Sequence, residues 1–127
     1  MMTKILIVDD IKAWQDYHKQ VLKNIYNNAE FYTADCAKDG YQKLLEHNNS
    51  PFDIIITDLQ MELDFEPKHA GEWFVEQIKE LKNYYRTKII IISGTSSIRP
   101  IAENLNVDCI PKSTAVNFPE AYDSVLL

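Results

Sequence analysis

Ile5-Leu6-Ile7-Val8-Asp9-Asp10 is the stretch on which the fold turns: four aliphatic residues with no polar break, then two carboxylates. A strand with one face in water alternates polar and apolar residues, so an unbroken apolar run describes a strand covered on both faces, as in the middle of a parallel sheet. Ile54-Ile55-Ile56 and Ile89-Ile90-Ile91-Ile92 share that character. Phe31-Tyr32-Thr33-Ala34 and Val107-Asp108-Cys109-Ile110 are more mixed, as strands at a sheet edge are.

Helical periodicities separate the runs. Trp14, Tyr17, Val21 and Ile25 recur at helical steps and predict a first helix with Asp10 as its N-cap. Tyr41, Leu44 and Leu45 predict a second, ended by the turn Asn48-Asn49-Ser50-Pro51, and Phe74, Ile78 and Leu81 predict a third after Gly71. A fourth runs from Ile98 to Leu105, capped by Ser97, with Pro100 in the first turn where its missing N–H is not needed. Asn117 with Glu120 resembles a capping pair, and with Pro119 it predicts a short fifth helix over the remaining residues. Five strands alternating with five helices, joined by right-handed crossovers, predict an α/β fold: a doubly wound five-stranded parallel sheet, order 2-1-3-4-5, with helices on both faces.

The 127 residues suit one domain, 1–127, with no linker, repeat or attached second unit expected. Formal charge is −6, from 13 basic and 19 acidic residues without a basic run. Direct nucleic-acid binding is therefore not expected. Cys36 and Cys109 lie far apart and outside any metal-spaced pair, so no disulfide framework is implied. The aliphatic runs are much too short to span a membrane and the amino terminus carries no signal-type stretch, which predicts a cytoplasmic protein.

In the predicted order the first strand lies beside the third, the third beside the fourth and the fourth beside the fifth, about 4.8 Å per step. The carboxyl ends of such strands open on one crevice. Asp9, Asp10, Asp58, Ser93 and Lys112 all fall there. Each alone has a plainer role as helix cap, turn former or solvated lysine; together at one end of the sheet they describe a site. Two unit charges about 4 Å apart repel by about 4 kcal/mol at an effective dielectric near 20, so clustered carboxylates call for a cation. Hard oxygen ligands with room for water suit Mg²⁺, held by Asp9 and Asp10. Lys112 would reach across roughly 10 Å to supply a second positive charge, with Ser93 between. Asp58, alone at the end of the middle strand, is then the nucleophile for a phosphoryl group whose developing charge the cations hold.

This constellation resembles the receiver domain of two-component response regulators over essentially the whole chain. The marks are Val8-Asp9-Asp10 after the first strand, Thr57-Asp58-Leu59-Gln60-Met61 after the third, Ser93-Gly94 after the fourth and Pro111-Lys112 after the fifth. The resemblance implies a flavodoxin-like fold and Mg²⁺ bound by Asp9, Asp10, Asp58 and the backbone carbonyl of Gln60. It implies that a histidine kinase or phosphotransfer protein phosphorylates Asp58, that Ser93 swings toward the new group and that Lys112 pairs with it. By analogy Gln60 and Thr95 tune the phosphate lifetime. The expected output is a switched contact with an unknown downstream protein. The chain would not be a turnover enzyme, although Mg²⁺-dependent self-phosphorylation and slow autodephosphorylation are expected.

Several positions depart from the family pattern. Glu62 follows Met61 where proline is usual, and the next glycine, Gly71, comes thirteen residues past Asp58 rather than eight. The added stretch, 62–70, reads as a longer loop, with the sharper expectation that it shields Asp58 and selects the phosphodonor. Cys109 replaces the usual switching aromatic, and Ser113 replaces the proline that normally follows the lysine through a cis bond. A cis bond to serine costs about 2.5–4 kcal/mol, so either the fold holds that strain or Lys112 is presented differently. Hence the rival reading, a receiver-like interaction module independent of phosphorylation. A haloacid-dehalogenase-type phosphatase would want an aspartate at Gln60, and Asp9-Asp10 would repel the phosphate of FMN.

Overall fold

The aliphatic runs form the strands they predict. The computed structural model describes residues 2–61 and 70–127; the inserted stretch and its expected role over Asp58 lie, up to residue 69, outside them. β1 (Thr3–Val8), β2 (Ala29–Ala34), β3 (Ile54–Thr57), β4 (Lys88–Ser93) and β5 (Asp108–Pro111) build a parallel sheet ordered β2-β1-β3-β4-β5. The register Val8↔Thr57 ends β1 and β3 level, while Thr57↔Ile91 lets β4 run on to Ser93.

Alternation along each strand divides the core in two, because successive side chains leave a strand on opposite faces. Leu6, Val8, Ile55, Ile89 and Ile91 meet α2 (Ala37–Glu46), α3 (Ala70–Glu80) and α4 (Ile98–Leu105) on one face. Ile5, Ile7, Ile54, Ile56, Ile90 and Ile92 meet α1 (Lys12–Ile25), α5 (Lys112–Asn117) and α6 (Ala121–Leu126) on the other. Burial on both faces is what the unbroken runs required.

Three helical expectations are corrected. The N-cap of α1 is Ile11, without a side-chain cap, rather than Asp10. The carboxylate of Asp9 accepts a hydrogen bond from the Ile11 amide at 2.9 Å, an Asx-type turn that ties the first turn from one residue earlier. The carboxyl-terminal segment forms two short helices rather than one. α5 starts directly at Lys112, and α6 follows after Phe118-Pro119-Glu120, with Glu120 at its N-cap instead of Asn117. Proline lacks the N–H that a continuous helix would need. Ser97 is the N-cap of α4 but makes no side-chain capping bond.

The deepest line of α1 also differs from the expected stripe. Gln15, His18 and Leu22 are buried, while Trp14, Tyr17, Val21 and Ile25 flank them half-buried. Two polar residues are tolerated inside because each is hydrogen-bonded. The Gln15 amide donates to the Asp9 carbonyl at 2.7 Å and to the Asp35 carboxylate at 2.9 Å. His18 Nδ1 lies 2.7 Å from the hydroxyl of Tyr122, itself buried on α6.

Burial, helped by the Lys112 charge, lowers the His18 pKa to about 3. In the unfolded chain the ring takes a proton near pH 6.5. The folded value is the lower one, so the stability from burying a neutral ring is complete above pH 6.5 and is lost as pH falls from there toward 3. Urea unfolding at about pH 5 should therefore give a stability about 2 kcal/mol below that at about pH 7.5 on account of this one ring. His18→Gln should remove most of that difference; a variant with the wild-type pH slope would assign the acid sensitivity elsewhere.

Candidate functional site

The β1, β3 and β5 ends deliver three charged side chains to one crevice. Asp9 and Asp58 stand one residue beyond their strands and stay in the ladder, the Asp9 amide donating to the Ala34 carbonyl at 3.1 Å and the Asp58 amide to the Val8 carbonyl at 2.9 Å. The two carboxylates are 1% and 5% exposed. Lys112 Nζ lies 2.8 Å from Asp58 Oδ2 and 3.2 Å from Asp9 Oδ2. Asp10 completes the group: Asp9, Asp10 and Asp58 each offer a carboxylate oxygen within 4.8 Å of the others. Of the five residues singled out in the sequence, four thus converge.

The fifth, Ser93, is the last residue of β4 and fully buried. Its hydroxyl oxygen accepts a 3.4 Å hydrogen bond from the Thr95 amide, which ties it to its own turn. Asp58 is held more firmly. Its Oδ1 accepts from the Leu59 amide at 2.7 Å and the Gln60 amide at 3.3 Å, which fixes the carboxylate plane and turns Oδ2 toward Lys112. Every peptide bond among the described residues is trans, Lys112–Ser113 included. The lysine is presented from the first residue of α5.

Charges in this crevice shape one another. Burial raises the Asp9 pKa above the usual carboxylate range, against the Ile11 amide and the Lys112 charge, which favour ionisation, while the Asp58 charge adds to the rise. For Lys112, burial alone would lower the pKa, but the hydrogen bond and charge of Asp58, joined by Asp9, outweigh it and hold the ammonium above an ordinary lysine. Asp9 Oδ2, although near Lys112, accepts no directed hydrogen bond and is buried. A buried carboxylate oxygen without a directed hydrogen bond, in a group of three carboxylates faced by a single ammonium, fits a divalent cation.

Sequence reasoning missed three supporting residues. Gln15 braces the Asp9 carbonyl from α1; a polar residue in line with Leu22 on the inner face was its signal. Trp14, read only as helix face, has the Lys112 ammonium 5.0 Å from its ring centroid. Gly71 donates from its amide to the Leu59 carbonyl at 3.0 Å. A Cβ on Gly71 would lie 2.1 Å from the Asp58 carbonyl oxygen and 2.7 Å from the Leu59 Cα, so only glycine lets α3 approach the Asp58 loop so closely.

The family model of the response regulator receiver domain matches residues 5–116. The chain belongs to that family. No curated protein sequence matches the receiver, but many solved structures do. The chemotaxis response regulator CheY4 of Vibrio cholerae is similar at 20% identity, with a TM-score of 0.75 over 99% of this chain and 100% of that one. The phosphorylated cyanobacterial phytochrome response regulator RcpA is 22% identical, with a TM-score of 0.72 over 98% of this chain and 89% of its own. The Mn²⁺-bound form of the response regulator Rcp1 is also 22% identical, with a TM-score of 0.69 over 97% and 88%. At such identities the likeness carries the fold. The acidic cluster of this receiver fits the phosphorylation site of its family, in which an acidic site binds Mg²⁺ or Mn²⁺.

A raised folded pKa means that folding penalises the charged form of Asp9 relative to the protonated one. Its contribution to the metal-free fold is complete below the ordinary carboxylate range and is lost as pH rises through the raised value. Asp9→Asn should accordingly raise the thermal midpoint of the metal-free receiver at neutral pH. Wild type should gain about 2.7 kcal/mol of stability from Mg²⁺ at a hundred times its Kd, and the variant should lose nearly all of that gain. A metal-free midpoint that falls in the variant would contradict the sign.

Proposed function

We propose that this receiver is a phosphorylation switch in which Asp58 accepts a phosphoryl group from a histidine kinase or phosphotransfer protein and thereby alters contact with a downstream protein. The observation that carries it is the state of Asp58: Oδ1 is pinned by two backbone amides, and Oδ2 lies 2.8 Å from a partly buried ammonium beside two further carboxylates. A fixed carboxylate is a nucleophile already oriented, and orientation is much of what phosphoryl transfer requires of a protein.

Asp9, Asp10, Asp58 and the Gln60 carbonyl would hold Mg²⁺. When bound it supplies positive charge against the oxygens of the transferring group. Asp58 Oδ2 attacks phosphorus; the bond to the donor breaks, and its electron pair leaves with the donor group. Lys112 then exchanges Oδ2 for a phosphoryl oxygen, a shorter reach than a new side chain would need because its Nζ is already in the crevice. The Ser93 hydroxyl would trade the Thr95 amide for the same group. Phosphorylation adds roughly −1.5 to −2 charge, enough to bias a two-state turn such as the one after β4.

The protein takes up and loses phosphate on its own side chain and is not a turnover enzyme. Among the described residues no helix is long and apolar enough to cross a membrane. Incubation with acetyl phosphate and Mg²⁺ should give a single phosphoryl adduct by intact mass, absent from Asp58→Asn and from chelated protein. A folded wild type that stays unlabelled would instead favour an interaction module independent of phosphate.

A further inference from the structure

Lys112 has a third neighbour that bears no charge. Its ammonium sits 5.0 Å from the centroid of the Trp14 ring, and its side chain is 14% exposed, so the contact is largely shielded from water. A cation within about 6 Å of an indole face is drawn to the negative face of the ring, more strongly when desolvated. We propose that Trp14 is a positioning residue that holds the Lys112 ammonium in line with Asp58 for phosphoryl transfer, a role that rests on the reading of Asp58 as the acceptor.

The indole is itself braced. The Tyr17 ring meets it edge-on at 5.6 Å and 84°, and the His18 ring lies 5.5 Å away. The Tyr17 hydroxyl donates to the Ala115 carbonyl at 2.7 Å, and Ala115 belongs to α5, the helix that Lys112 begins. Lys112, Trp14, Tyr17 and Ala115 therefore close a circuit joining α1 to α5. A lysine stem has four flexible carbons; the carboxylates attract its tip, and they do so less once a cation offsets their charge. The indole face attracts it in either state, so it limits how far the ammonium strays while Asp58 reacts.

The test changes the electrons of the ring and keeps its shape. The chain holds two tryptophans, and Trp73, which meets Tyr41 of α2 edge-on at 5.7 Å, is replaced by phenylalanine so that Trp14 is the sole indole. Incorporating mono-, di- and trifluorotryptophan weakens the negative face in steps. The rate of labelling by acetyl phosphate should fall with each fluorine, to about fivefold to tenfold below the unsubstituted ring. The Mg²⁺ midpoint should stay constant and the thermal midpoint should fall only slightly, as the weakened contact requires; a merely packing role for the ring would leave the labelling rate unchanged. Equal rates across the series overturn the proposal. If the unsubstituted protein takes no phosphoryl group, the acceptor reading fails on its own. The contact is then judged by emission: Trp14 fluorescence should change when Lys112→Met is added to Trp73→Phe, and identical spectra overturn it.

Discussion

Two carboxylates 1% and 5% exposed share one ammonium, and the arrangement of this receiver can be read as the means of keeping them together. Charges so deeply placed are tolerated only when paired and hydrogen-bonded. Pairing them needs β1 beside β3 and β5 within a lysine's reach, which is what the order β2-β1-β3-β4-β5 provides. The apolar faces of the sheet supply the folding free energy, while the polar ends of the same strands hold an unfavourable charge distribution that ligands can relieve. Stability and responsiveness thus come from different parts of the same strands.

The strands were legible because full burial on two faces leaves a local signature, an unbroken aliphatic run such as Ile89 to Ile92. Asp9, Asp58 and Lys112 were legible because they follow such runs, and strand order then places them. What stayed hidden depends on partners remote in sequence. Gln15 and His18 have no visible reason to be buried until Asp35 and Tyr122 are brought to them. The identity of the α1 cap was missed because Asp9 and Asp10 compete for it and only geometry shows which carboxylate turns back to Ile11. The division of the last segment into α5 and α6 was missed because Lys112 was read as a site residue and not also as a helix start.

α1 emerges as more than a cover for the sheet. From consecutive residues it braces the Asp9 carbonyl through Gln15 and meets the Lys112 ammonium through Trp14. One turn later His18 and Tyr17 tie it to α6 and α5. Cys109 of β5 stands where the family pattern has a switching aromatic, and among the described residues the rings tied to the site lie along α1 and α6.

Gly71 has a consequence for how such a chain can diverge. By seating α3 directly on the backbone of Asp58 and Leu59, it makes the segment after Asp58 end at a fixed anchor whatever number of residues intervenes. Lengthening the excursion from eight to thirteen residues costs only about 0.4 kcal/mol of loop-closure entropy, less than a single exposed hydrogen bond is worth. Length beside Asp58 is therefore nearly free to vary, and a lineage can alter what borders the acidic cluster without disturbing the geometry that holds it.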